Sequence, residues 1–254
     1  MPKATAPQEE RRRPFRIAID GPAGAGKSTL ASFLAQRLSF THLNTGILYR
    51  ALSRVLLDRA AESTAGSSSL ERVKQMLEKG SEEASRIIED FDPEIENNEV
   101  TVKGKNITEF LRTPEIDIAV GVVAKYPIIR EKITGIQKQL AQKYSVPGIV
   151  IEGRDIGTVV VPDAELKIFL VASVDVRAQR RAQEQKEESL ENIKREIRER
   201  DHLDTSRAHS PLIQAQDAVL LDNSHLTVEE TVNRIQKIVA ERRAEVKRNM
   251  PLVD

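Results

Sequence analysis

Residues 21 to 28 read Gly-Pro-Ala-Gly-Ala-Gly-Lys-Ser, which fits the spacing G-x-x-x-x-G-K-S. They follow an apolar run from Phe15 to Asp20. They precede a segment, from Lys27 onward, in which Leu30, Phe33, Leu34 and Leu38 recur on one face at helical spacing. A strand, a glycine-rich turn and a helix in that order constrain the fold more than any other stretch of the chain. Glycines let backbone amides converge on a phosphate, and the helix N-terminus adds positive potential. Lys27 would bridge the outer phosphates, and the Ser28 hydroxyl would ligate magnesium. The string predicts a nucleoside triphosphate site made of Gly21, Pro22, Ala23, Gly24, Ala25, Gly26, Lys27, Ser28 and Thr29. It does not choose among ATPase, GTPase and kinase.

Further strands are expected at Gly148 to Glu152, Lys167 to Val171 and Ala218 to Leu221, each separated from the next by enough chain to hold helices. That alternation predicts an α/β fold with a parallel sheet flanked by helices on both faces. With 254 residues, the chain suits one large domain or one domain enlarged by an insertion. Residues 1 to 14 are polar, contain three prolines and end near Arg11, Arg12 and Arg13, so they read as a flexible extension. Small polar residues dominate from about Ala60 to Ser69, and helical patterning with Leu70, Val73 and Leu77 continues up to Ile95. Residues Asn97 to Ile107 alternate like a hairpin, and Thr113, Pro114 and Glu115 resemble a helix start. Residues 61 to 130 are therefore expected to form an insertion in a core of residues 15 to 60 and 131 to 254. Val174 to Arg207 is highly charged and helical in pattern. Thr227 with Glu230 makes a capping box for a last helix with Val228, Ile235 and Val239.

Lysine plus arginine number 39 and so do aspartate plus glutamate, so the formal net charge is zero. No global field would attract a polyanion, which argues against a dedicated nucleic-acid binder. The absence of cysteine excludes disulfides and thiolate zinc sites. Apolar runs such as Ile149 to Ile151 and Thr158 to Val161 fall far short of the roughly 20 residues of a membrane span. A cytoplasmic location is the default expectation.

Glu152 ends its apolar strand where a second acidic group would hold magnesium or its waters. Tyr49 with Arg50, and Gly153 to Thr158 with Arg154 and Asp155, follow expected strand ends. Arg177, Arg180, Arg181, Arg200 and Arg207 lie in the charged helical stretch. Ligands of open parallel sheets collect outside the carboxyl ends of the strands, so these arginines would converge near Lys27. Phosphoryl transfer to a hydroxyl usually needs a carboxylate base, whereas a monophosphate acceptor is already largely ionised. His42, His202, His209 and His225 fall in loops or polar stretches, so many arginines without an evident histidine base point to a phosphate acceptor. One alternative is a small-molecule hydroxyl kinase using Asp155 or Asp204 as base. Another is a regulatory or nucleic-acid module whose N-terminal arginines touch RNA, but three arginines beside two glutamates leave that footprint small.

The chain resembles the bacterial cytidylate kinases, P-loop nucleoside monophosphate kinases that transfer the ATP γ-phosphate to CMP or dCMP. The similarity is carried by IDGPAGAGKSTLA from Ile19, NTGILYRA from Asn44, LRTPEI from Leu111 and YPIIR from Tyr126. EGRDIGTVVVPDAELKIFL from Glu152, RDHLDTSRAHSPL from Arg200 and DAVLLDNS from Asp217 extend it to roughly Phe15 to Ala240. The resemblance implies a P-loop NTPase-type sheet, a nucleoside-monophosphate-binding insertion at residues 61 to 130 and a helical lid at about 174 to 210. It implies Mg2+ with ATP as donor, CMP or dCMP as acceptor, and a monomer. By the same resemblance Arg50, Arg154 and Arg207 would bind the acceptor phosphate, Arg200 and Asp204 the ribose, and Arg130 and Asp155 the base. Thr45, Tyr49 and Arg112 would complete the CMP site, Arg177 and Arg181 would lie near the ATP phosphates, and Lys27, Arg154, Arg207 and Arg181 would be catalytic. Asn44, Ile47 and Gly121 depart from the family's usual aspartate, alanine and serine; the serine lost at Gly121 implies weaker discrimination against UMP, and Ile47 is expected to add bulk near the acceptor.

Overall fold

Ile17 and Ile19 project from one side of their strand and Ala18 from the other, and all three are fully buried. Successive side chains alternate across a sheet, so that strand must be covered on both faces. The computed structural model describes residues 15–62, 67–96, 99–144, 147–184 and 189–248, and shows this arrangement. Strand β1 (Phe15–Asp20) leads through the glycine-rich loop into α1 (Lys27–Leu38), followed by β2 (Thr41–Asn44) and α2 (Gly46–Ala61). Next come α3 (Ser69–Glu78), α4 (Glu82–Glu89), β3 (Pro93–Glu96), β4 (Glu99–Val102), β5 (Lys105–Asn106), α5 (Pro114–Val123) and α6 (Pro127–Lys143). The chain then returns through β6 (Gly148–Gly153), β7 (Leu166–Val171), α7 (Val174–Glu184), α8 (Leu190–Thr205), β8 (Val219–Asp222) and α9 (Val228–Arg248).

The main sheet has the order β2-β6-β1-β7-β8, and all its pairings are parallel. One face packs Ile17, Ile19 and Val150 against Leu30 and Leu34 of α1 and Val232 and Ile235 of α9. The other packs Ala18, Ile149 and Ile151 with Leu48 and Leu52 of α2, Ile116 of α5 and Ile129 and Ile133 of α6. The register places Asn44 beside Glu152 and Asp20 beside Gly153, so the strands finish together at one edge of the sheet. Among the described residues, no helix is long and apolar enough to cross a membrane.

The expected strands at 15, 148, 167 and 218 occur as β1, β6, β7 and β8, each within one residue of its expected start. Thr113 caps α5 by accepting from the Ile116 amide, and Thr227 and Glu230 exchange the expected capping-box bonds. Several expectations change. Phe33 is 50% exposed, because the buried stripe of α1 is carried by Leu30, Ala31 and Leu34 and is too narrow to include it. The helical pattern expected to reach Ile95 stops at Glu89, since Pro93 opens an extended strand whose Ile95 pairs with Val100. The expected hairpin is part of a three-stranded antiparallel sheet, β3-β4-β5; its first residue, Asn97, and the N-terminal extension lie outside the described residues. Residue 130 falls inside α6, one continuous helix from Pro127. Ile47 is 7% exposed and packs into the core.

Candidate active site

The loop between β1 and α1 is shaped by glycines with positive φ at 21, 24 and 26. Gly21 is required by contact as well as by dihedral: a Cβ there would lie 2.0 Å from the Leu170 carbonyl oxygen of β7. Lys27 is buried and its Nζ donates to the Pro22 carbonyl at 2.8 Å, so the ammonium curls back over the loop. Burial, then the Arg154 cation, hold its pKa well below the ordinary lysine value.

At the ends of β2 and β6, Ser28 Oγ donates to Glu152 Oε2 at 2.9 Å, and His42 Nε2 lies 3.2 Å from Glu152 Oε1. Asn44 Nδ2 approaches Ser28 Oγ at 3.4 Å, and Thr45 Oγ1 donates to the Glu152 carbonyl at 2.6 Å. The residues expected at a magnesium site thus meet. His42 corrects the reading that placed it in a loop or polar stretch: it sits in β2, and parallel pairing with β6 carries its ring to the buried carboxylate.

Asp20, the last residue of β1, carries no local sequence signal that singles it out. Its carboxylate accepts from the amides of Ile156 at 2.8 Å and Gly157 at 2.7 Å, and so ties the glycine-rich loop to the turn that carries Arg154 and Asp155. That turn continues into a single π-type turn, Ile156–Val160. Burial pushes the Asp20 pKa up to about 6, although the two amides pull it down and Lys27 helps them. Asp155 is buried and accepts from Arg130 Nη2 at 2.8 Å. The Arg130 guanidinium also lies 5.8 Å from the Tyr49 ring centroid, and among the described residues its buried Nε has no hydrogen-bond partner. Burial moves the Tyr49 hydroxyl up to about 12.

Arg154 Nε donates to Asp204 Oδ2 at 2.8 Å, and Arg207 also pairs with Asp204, which is 3% exposed. Arg50 donates to Asp117 at 2.5 Å and to the Leu111 carbonyl at 2.8 Å. Among the described residues, the Arg200 side chain makes no hydrogen bond or ion pair, and burial, then Arg154, push its pKa down to about 10. Arg207 falls to about 10 through burial, then Arg130 and Arg154. Arg154 is also lowered, chiefly by burial. Burial is the first cause in all three, and Arg154 adds to the depression of both Arg200 and Arg207, a cost that a multiply charged anion would relieve. Arg112 is exposed, and Arg181 pairs with Glu196 at 3.2 Å. Arg177 lies on the carbonyl side of the loop, donating to Ala23 O at 3.0 Å and to both Asp201 oxygens. Arg180 and Asn223 hold the Ala25 carbonyl in the same way.

Of the carboxylates proposed as bases in the hydroxyl-kinase alternative, Asp204 has both oxygens paired to arginine and Asp155 has one, Oδ2, paired to Arg130. Hard oxygens from Ser28 and Glu152 suit magnesium. Among the described residues no group of three or more His, Cys, Asp or Glu could hold a metal ion.

A cytidylate kinase family model matches residues 17–241. A cytidylate kinase from Carboxydothermus hydrogenoformans is 42% identical over 229 residues, covering 89% of this chain and 97% of the relative. One from Geobacillus sp. is 41% identical, covering 91% of this chain and 99% of the relative. A solved shikimate kinase from Bacteroides thetaiotaomicron overlays only loosely, with a TM-score of 0.43 and 15% identity across 89% of this chain and 98% of that one. With its loop, paired strand ends and arginine cluster all inside the matched span, the chain belongs to the cytidylate kinase family.

Proposed function

We propose that the chain transfers the γ-phosphoryl group of ATP to CMP or dCMP. Membership of the family supports the reaction. The observation that carries it in this molecule is the gathering of Arg154 and Arg207 on the buried Asp204, and of Arg130 on the buried Asp155, at the sheet edge where the phosphate-binding loop holds Lys27. An acceptor phosphate oxygen attacks the γ-phosphorus while the bond to the β-phosphate oxygen breaks and ADP leaves with that electron pair. No proton need be removed from the acceptor, so catalysis rests on positioning and charge neutralisation.

In this reading the loop amides and Lys27 cradle the donor phosphates, and Lys27 exchanges the Pro22 carbonyl for a phosphate oxygen. Arg50, Arg154 and Arg207 gather the acceptor phosphate, and Arg200 lies with Asp204 at the ribose. Arg130 and Asp155 read the base, Asp155 accepting from the cytosine amino group that uracil lacks. Asp204 faces the ribose, Thr45, Tyr49 and Arg112 border the acceptor, and Arg181 closes from the lid. Ser28 and Glu152 would hold magnesium, which when bound neutralises charge on the donor phosphates. Residues 61–130 supply acceptor contacts such as the Asp117 brace of Arg50, and the α7–α8 pair serves as the lid. All these residues come from one chain, and the reading needs no second copy.

The test is ADP release with CMP, dCMP, UMP, dUMP and AMP as acceptors. CMP or dCMP should stimulate it strongly, and UMP measurably, because Gly121 offers no hydroxyl. No stimulation by any monophosphate would overturn the reading. Lys27→Ala should cut turnover by roughly a hundredfold or more, as loss of one stabilising donor does elsewhere.

A further inference from the structure

The side of the phosphate-binding loop that faces away from the phosphates is itself held. Gly24 has a φ of 75°, and a Cβ there would lie 3.2 Å from Arg177 Cβ, so α7 packs directly against the loop. Arg177 is 4% exposed. Its Nε donates to the Ala172 carbonyl at 2.9 Å, Nη1 to Ala23 O at 3.0 Å and Asp201 Oδ1 at 3.0 Å, and Nη2 to Asp201 Oδ2 at 2.7 Å. A guanidinium carries five N–H donors. Nearly all of Arg177's are committed to holding the loop's outer carbonyl and one carboxylate, which leaves this arginine little to offer a phosphate directly. Asp201 lies on α8, and one turn further along the same helix Asp204 pairs with Arg154 and Arg207. The helices cannot slide freely past each other, because Ala178 of α7 packs with Ile193 and Ile197 of α8 in a small core of their own.

We infer that Arg177 and Asp201 are positioning residues that couple the two nucleotide sites: their bidentate pair joins the donor loop to the helical turn that also holds the acceptor arginines. This rests on the reading that the loop takes ATP and that Arg154 and Arg207 take the CMP phosphate. Occupation of the loop moves the Ala23 peptide, Arg177 follows it, and Asp201 shifts the turn that carries Asp204. Arg154 and Arg207 are then presented to the acceptor in a donor-dependent position. Binding at one site must therefore alter affinity at the other by the same factor in both directions. A bidentate pair whose arginine is buried suits this role because its geometry is fixed.

The test uses the full chain and calorimetric titration of CMP with and without a saturating non-hydrolysable ATP analogue, in the wild type, Asp201→Asn and Arg177→Lys. Asn keeps the shape of Asp201 and removes its charge, while Lys keeps the charge of Arg177 and removes its fork. In the wild type the analogue should tighten CMP by roughly 5-fold or more, within the usual range for coupled sites. In each variant the tightening should fall to about 2-fold or less, while CMP affinity without the analogue changes by less than about 3-fold. The reciprocal titration of analogue with and without CMP must give the same factors. If Asp201→Asn fails to melt cooperatively, Arg177→Lys alone decides. Undiminished coupling in the variants would overturn the inference, and so would equal weakening of CMP with and without the analogue, which marks a mere brace. A wild-type chain that binds CMP with no coupling overturns the inference alone. A wild-type chain that does not bind CMP at all overturns the functional reading and the inference with it.

Discussion

At the scale of single residues, Asp20 is tightly constrained: its carboxylate is buried yet holds two backbone amides, of Ile156 and Gly157, directly after Arg154 and Asp155. Burial raises its pKa from 3.8 to about 6. The folded chain therefore holds a proton that the unfolded chain has released across that interval. Stability from this group is greatest below its ordinary pKa and is lost as pH rises through about 6. Asp20→Asn does not titrate, so the wild type should lose stability relative to the variant between about pH 4 and about pH 7, measured by denaturant melts. Parallel curves would contradict the assignment. Asn also turns one amide of its own toward a backbone N–H, so the variant should bind CMP more weakly at every pH. His42 makes a separate prediction. It takes one oxygen of Glu152 while Ser28 takes the other, so it orients the carboxylate without reaching a phosphate. His42→Ala should raise the magnesium needed for half-maximal activity by roughly tenfold, with turnover at saturating magnesium little changed. The same shift should appear in the magnesium dependence of ATP-analogue binding, and an unchanged dependence would remove His42 from the site.

At the scale of elements, two glycines separate turn chemistry from accident. Gly21 has a φ of 151° and its missing Cβ leaves room for the Leu170 carbonyl. Gly21→Ala should cost about 3 kcal/mol through overpacking and strain, and should lower the melting temperature and ATP-analogue affinity together. Gly121 lies within α5, and a methyl group added there would meet nothing within 4 Å. Gly121→Ala should therefore stabilise the chain by about 0.5–1 kcal/mol through helix propensity. A similar melting shift in both variants would refute the distinction. The same contrast between local and distant causes divides what the amino-acid sequence reveals from what it hides. β1, α1 and the long apolar strands are readable because their patterns are local. β2 is not: Thr41–Asn44 alternates poorly, and it becomes a strand by lying in parallel register beside β6. His42 is unreadable for the same reason, since Glu152 is 110 residues away in sequence. Asp201 is hidden by the charge density of α8, where the carboxylate facing Arg177 looks no different in sequence from its solvated neighbours.

At the scale of the whole molecule, the zero net charge conceals a local excess. The sheet edge and the end of α8 bring Lys27, Arg154, Arg200 and Arg207 into one region, and burial lowers the pKa of every one of them. Folding thus gathers cations at a cost that an anionic ligand removes, and ligand binding should be visible as stability. At a CMP concentration of about 100 Kd, binding to the folded state alone adds about 2.7 kcal/mol. For a chain of this size each kcal/mol raises the melting temperature by roughly 2–4 °C, so a shift of roughly 5–10 °C is expected. Cytidine carries the same base and sugar but leaves the arginines unneutralised, and at equal concentration it should produce a far smaller shift. Raising the salt concentration should shrink the difference between the two ligands, because it screens only the phosphate contribution. Equal shifts from CMP and cytidine would mean that the arginine cluster does not hold the acceptor phosphate, and that the charge crowded at this edge serves some purpose other than binding it.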